Sequence, residues 1–194
     1  MSTSQKDSKN AHGNVIFNLP NTISWLRILS TIPIVLLMYL DNYIWAFLLF
    51  LLAALSDYID GYFARKLGQV TKLGKVLDQM SDKILITSIF VVFVEVGMLP
   101  GWLVVILVFR DTLVSMVRMI ASEAGNIIAA NIFGKMKTVS QMILAISLFL
   151  EKLSFFQLER LLDKANTILI YFVAFVTVIS GVLYTYQNRE YLNR

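Results

Sequence analysis

The chain has 194 residues, of which 57% are hydrophobic and 15% charged, with a mean hydropathy of +0.69 and a formal net charge of +4. That is too apolar for an ordinary soluble domain, so an integral membrane protein is the first expectation. Without a cysteine there are no disulfides or thiolate metal sites, which leaves oxygen, or the single His12 in a polar stretch, to hold any metal.

Residues 1–14 read as a polar, disordered tail; their Ser, Gln, Lys, Asp and Asn do not form the apolar core of a secretory signal. Residues 15–194 read as one membrane domain. The piece Ile16-Phe17-Asn18-Leu19-Pro20-Asn21 suits an interfacial segment or a helix-start turn, in which Asn21 or Thr22 caps and Pro20 stops any upstream helix. A spanning helix needs about 20 mostly apolar residues, and six such stretches follow, at about 22–40, 43–66, 76–97, 101–122, 135–151 and 167–186. The fold class expected is therefore all-α, with six transmembrane helices. Lys66, Lys72 and Lys75 follow the second span, Lys135 and Lys137 the fourth, and Arg189 and Arg194 the last, while the opposite loops near Asp41, Pro100 and Glu151 to Lys164 are acidic, neutral or mixed. Positive charge on alternate loops places both termini in the cytoplasm. The excess of Lys and Arg calls for anionic lipid rather than nucleic acid, since no basic run carries interleaved aromatics. Trp25, Trp45 and Trp102 read as interface anchors.

Four carboxylates stand where apolar residues are expected. Asp57 and Asp60 end the apolar run of the second span, and Asp78 and Asp82 begin the third. Each Asp deep in a span costs about 2.5–3.5 kcal/mol on insertion scales, so a partner must offset them. On a helix Asp57, Asp60, Gly61 and Ala64 share one face, at i, i+3, i+4 and i+7, and Asp78 and Asp82 share another, at i and i+4. A helical hairpin carrying both faces presents four oxygen ligands to one point, which selects a hard divalent ion such as Mg²⁺, Mn²⁺ or Ca²⁺. Gly61 and Ala64 leave room on the same face for a ligand to approach the backbone, and Arg65 reaches the water side, where a diphosphate could lie.

Written out, this stretch is Asp57-Tyr-Ile-Asp60-Gly61-Tyr-Phe-Ala64-Arg65, eight residues, Gly74-Lys-Val-Leu-Asp78-Gln-Met-Ser-Asp82. It resembles the CDP-alcohol phosphotransferase motif at all eight fixed positions and every spacing. At about 5% usage per residue type, eight matches arise by chance on the order of 10⁻¹⁰ per starting position, so the signal is specific. Within the family the chain is most similar to the phosphatidylglycerophosphate synthases, from Asn18 onward. Asn18-Leu-Pro-Asn21 with Arg27, Arg110-Asp111 with Arg118, and Gly134-Lys135-Met-Lys137-Thr138-Val-Ser-Gln141 carry that similarity. Two departures stand out: Asp111 replaces a common Glu, and Gln79-Met80-Ser81 replaces Pro-Leu-Ala.

The resemblance implies a multi-pass enzyme of the cell membrane, a homodimer, with its active site at the cytoplasmic face. It would move the phosphatidyl group of CDP-diacylglycerol to glycerol 3-phosphate and release CMP. Asp57, Asp60, Asp78 and Asp82 would hold two Mg²⁺ or Mn²⁺ ions, with Asp82 also the general base. Asn21, Asp57, Gly61, Ala64, Arg65, Thr71 and Gly74 would bind the CDP-lipid. Arg110, Arg118, Lys135 and Lys137 would bind the acceptor phosphate, the two lysines from a loop mouth. Other acceptors (inositol phosphate, serine, phosphatidylglycerol) fit the same chemistry, and intramembrane aspartates also suit a divalent-cation transporter.

Overall fold

The structure, a computed structural model, describes residues 19–66, 72–123, 132–153 and 159–191. Within them the side chains of 19–21, 23, 57–66, 72–76, 78–79, 122–123, 159–160 and 191 lie outside the description. Among the described residues there are six α-helices and no strand: α1 (Leu19–Tyr39), α2 (Tyr43–Lys66), α3 (Lys72–Glu95), α4 (Gly101–Glu123), α5 (Ile132–Lys152) and α6 (Glu159–Gln187), followed by a 3-10 turn at Arg189–Tyr191. Each expected span has its helix. Four helices begin earlier than the apolar runs: α1 at Leu19, α3 at Lys72, α5 at Ile132 and α6 at Glu159. Hydropathy marks only the part that suits lipid, whereas Lys72, Lys75, Asp163 and Lys164 continue α3 and α6 into polar surroundings, Lys being a good helix former. With α1 starting at Leu19, Asn21 and Thr22 lie inside its first turn rather than capping it, and Pro20 is tolerated there because its missing N–H is an orphan at a helix start.

Two compact units divide after Leu85. In the first, α1 packs on α2. The inward stripe of α1 is Ser24, Arg27, Thr31, Ile34 and Met38, and that of α2 is Tyr43, Ala46, Phe50 and Ala53, all buried at three- and four-residue steps. The outward face of α1 carries Leu26, Leu29, Ile32 and Leu36, all exposed. Polar residues inward and large apolar ones outward is the pattern of a helix solvated by lipid. In the second unit α6 packs on both α4 and α5, and Phe93 meets Phe149 edge to face at 5.1 Å. Among the described residues two helical segments, Ile132–Lys152 and Leu161–Gln187, are long and apolar enough to cross a membrane.

The α1–α2 turn is closed by Asn42 N–H donating to the Leu37 carbonyl at 2.8 Å, with Asp41 at φ 56°. This is the left-handed helix cap usually given to Gly; the α3–α4 turn has Gly97, at φ 78°, in that place. Replacing Asp41→Gly is expected to raise the thermal midpoint in detergent, because left-handed backbone costs an L residue on the order of 1 kcal/mol. An unchanged or lowered midpoint would count against that strain.

Candidate active site

In the first unit Asp57, Asp60, Gly61, Ala64 and Arg65 lie on the last turns of α2, and Gly74, Asp78 and Asp82 on the first turns of α3. Both stretches are helical, so the one-face relations read from the spacing hold on the backbone. Asn21 lies in the first turn of α1. Thr71 lies outside the described residues, as do the side chains of Asn21, Asp57, Asp60, Gly61, Ala64, Arg65, Gly74 and Asp78.

Asp82 is the candidate ligand whose side chain is described, and its setting is informative. Its Oδ1 accepts from Arg27 Nη1 at 2.9 Å, and the same nitrogen donates to Ser81 Oγ at 3.0 Å. The Arg27 side chain is fully buried, while that of Asp82 is 44% exposed. A guanidinium taken out of water demands a counter-charge; here it fixes one oxygen of a part-exposed carboxylate side chain. The sequence puts Arg27 in a motif without showing its task, since its partners are 54 and 55 residues away.

Among the described residues no three His, Cys, Asp or Glu side chains gather as a metal site. The donor chemistry nevertheless fits a hard divalent ion. The four candidate ligands are all carboxylates, no thiolate exists in the chain, and the Asp82 side chain, part-exposed, is already oriented by Arg27.

The second unit assembles cations. Lys137 is buried, and its Nζ donates to both oxygens of Asp111, at 2.7 and 2.6 Å. Arg110 Nη1 donates to Asp111 Oδ1 at 3.1 Å, and its Nε to Ser180 Oγ at 3.0 Å. Two cations on one carboxylate leave a single net positive charge in a place where the three side chains are only 6–14% exposed. Arg118 Nε donates to the Tyr184 hydroxyl at 3.1 Å, and its Cζ lies 5.6 Å from that ring's centroid. Lys135 is exposed.

The structure therefore brings Arg110 and Lys137 together through Asp111, and sets Arg118 against α6. It does not place the two lysines in a loop: Gly134 to Gln141 belong to α5, with Lys137 buried under its own ion pair rather than standing at a mouth. Ser180 and Tyr184 had no role in the sequence reading, because a Ser and a Tyr within an apolar span carry no signal of their own.

A family described as CDP-alcohol phosphatidyltransferase matches residues 17–181. A Bacillus subtilis protein named CDP-diacylglycerol–glycerol-3-phosphate 3-phosphatidyltransferase is 34% identical over 193 residues, covering 91% of this chain and 98% of that protein. A Rickettsia typhi protein of the same name is 31% identical over 177 residues, covering 90% and 98%. One from Mycoplasma pneumoniae is 40% identical over 95 residues, covering 49% of this chain and 42% of the relative.

Proposed function

The chain belongs to the CDP-alcohol phosphatidyltransferase family, and from that premise we propose that it transfers the phosphatidyl group of CDP-diacylglycerol to sn-glycerol 3-phosphate, giving phosphatidylglycerophosphate and CMP. The observation that carries this reading is near-full-length similarity to a relative named for that reaction, over 98% of the relative. The eight motif positions and the cation set of α4 and α5 agree with it. The enzyme spans the cell membrane six times, with both termini and the active site on the cytoplasmic side, and works as a homodimer. The alternating charge of the loops and the lipid-facing exterior of α1 support the membrane placement.

The acceptor hydroxyl oxygen attacks the phosphorus next to the diacylglycerol. A new P–O bond forms there, the P–O bond to CMP breaks, and the hydroxyl proton passes to Asp82. When bound by Asp57, Asp60, Asp78 and Asp82, Mg²⁺ or Mn²⁺, two ions in all, supplies neutralisation of the diphosphate and of the leaving phosphate. Arg27 holds the Asp82 carboxylate in one pose. Asn21, Gly61, Ala64, Arg65, Thr71 and Gly74 receive the CDP portion. Arg110, Arg118, Lys135 and Lys137 bind the phosphate of the acceptor, converting a two-body encounter into an oriented one.

Purified protein in detergent, supplied with CDP-diacylglycerol and Mg²⁺ or Mn²⁺, should release CMP with glycerol 3-phosphate and not with inositol phosphate or serine. EDTA should stop the release and added Mg²⁺ or Mn²⁺ restore it. Folded, metal-supplied protein that releases no CMP with any acceptor would overturn the reading and turn attention to ion transport in liposomes; activity that survives EDTA would remove the metal from the mechanism.

A further inference from the structure

The poses of Arg110 and Arg118 come from α6. Ser180 and Tyr184 stand four residues apart, about 6 Å along that helix, whereas the arginines stand eight apart, about 12 Å along α4. Each arginine is taken by its Nε: Arg110 by Ser180 Oγ at 3.0 Å and Arg118 by the Tyr184 hydroxyl at 3.1 Å. Ser180 and Tyr184 are 1% and 2% exposed, and Ser180 Oγ is itself oriented by donating to the Thr177 carbonyl at 3.2 Å. Between them Gly181 leaves space for the Arg110 stem, since a Cβ there would lie 3.0 Å from Arg110 Cγ, closer than side chains normally come.

Engaging Nε rather than the terminal nitrogens has a chemical consequence. A guanidinium binds phosphate through its outer N–H groups, often two at once. Holding it by Nε stops rotation of the fork and leaves that edge for an anion. Among the described residues the terminal nitrogens of Arg118 have no hydrogen-bond partner, and Arg110 uses Nη1 on Asp111. Desolvating a serine hydroxyl and a tyrosine hydroxyl to hold two arginines is a cost that lipid packing alone gives no reason to accept.

We propose that Ser180, Gly181 and Tyr184 of α6 are positioning residues for the acceptor's phosphate: one turn of this helix presets the outer edge of Arg118 and the remaining Nη2 of Arg110, which receive a phosphomonoester. This rests on the proposed reading of the chain as a glycerol 3-phosphate phosphatidyltransferase.

The test compares Ser180→Ala, Tyr184→Phe and Gly181→Ala with the parent enzyme for CMP release, varying each substrate in turn. The KM for glycerol 3-phosphate should rise about tenfold in Ser180→Ala and in Tyr184→Phe, the scale of one hydrogen bond to a charged group. The KM for CDP-diacylglycerol should stay close to the parent value, and a fall of a few °C in the thermal midpoint, from the buried donor left unpaired, should not carry the KM for glycerol 3-phosphate with it. Gly181→Ala should act in the same direction by displacing the Arg110 stem. In an Arg118→Ala background Tyr184→Phe should add nothing, because its effect passes through that arginine. An unchanged KM for glycerol 3-phosphate in both hydroxyl variants, or a full Tyr184→Phe effect without Arg118, would overturn the inference while leaving the reaction standing. Parent enzyme inactive with glycerol 3-phosphate would instead remove the reading on which the inference rests.

Discussion

Asp82→Asn is expected to lower kcat for CMP release by at least about 10³-fold, since a positioned base alone contributes on the order of 10²–10⁴ and the same change withdraws a charged metal ligand. Asn is the right replacement because of what Asp82 touches. Its Oδ1 is the ionic partner of Arg27, whose side chain is fully buried. Alanine would remove the counter-charge and the acceptor together and leave the buried guanidinium with neither, a loss moderated because the Asp82 side chain is 44% exposed. A dead Asp82→Ala enzyme could therefore be merely unfolded. Asparagine keeps the shape and a carbonyl acceptor for Arg27 Nη1 while removing the charge and the proton acceptor; because it also withdraws the counter-charge of Arg27, its thermal midpoint is measured beside kcat. Binding of glycerol 3-phosphate, measured by calorimetry, should survive in Asp82→Asn because the cations assigned to it are on α4 and α5. Residual kcat within about tenfold of the parent would remove Asp82 as the base.

The companion change is Arg27→Lys. Lysine retains a charge but is a single donor centre with a shorter overall reach, so the pose of Asp82 is lost more than the charge balance. A smaller fall in kcat, with the affinity for glycerol 3-phosphate unchanged, separates orientation of Asp82 from its chemistry. Equal losses in Arg27→Lys and Asp82→Asn would mean that the guanidinium does more than orient.

What sequence could show follows from range. Six helices were legible because each carries a long apolar run, and the helical setting of the four aspartates because they adjoin those runs. Helix ends were less so: α6 begins at Glu159, eight residues ahead of the expected 167, because charged residues such as Asp163 and Lys164 extend a helix without extending its hydropathy. The support of the site was not legible at all. Arg27 and Ser81 are 54 residues apart, Arg118 and Tyr184 66, and Arg110 and Ser180 70. Such pairs exist only once helices pack. Lys137 shows the same limit from the other side. Its charge was visible and its function was read from it, but not that Asp111, 26 residues earlier, holds that charge inside the protein.

Asp111→Asn should consequently destabilise the protein by about 3–5 kcal/mol, a fall of about 10 °C in the thermal midpoint for a chain of this size. The carboxylate stands among Arg110 and Lys137, whose side chains are 12% and 6% exposed. Without it two cations repel each other where water screens them little. Asp111→Glu, which keeps the charge and matches the residue common in the family's motif, should lose far less. Asp111→Asn combined with Lys137→Met should recover much of the single-variant loss, because the surplus charge leaves with the lysine. A midpoint in Asp111→Asn within about 2 °C of the parent would show that the pair contributes no more than a surface one.

The same charge arithmetic ties this pair to the acceptor. If Arg110 and Lys137 receive the phosphate of glycerol 3-phosphate, that ligand supplies the anion that Asp111→Asn lacks. Glycerol 3-phosphate should then raise the midpoint of Asp111→Asn more than that of the parent, since a ligand stabilises in proportion to its preference for the folded state. Equal shifts in the two proteins would mean that the acceptor's phosphate does not meet these two cations, and that Asp111 serves the fold alone.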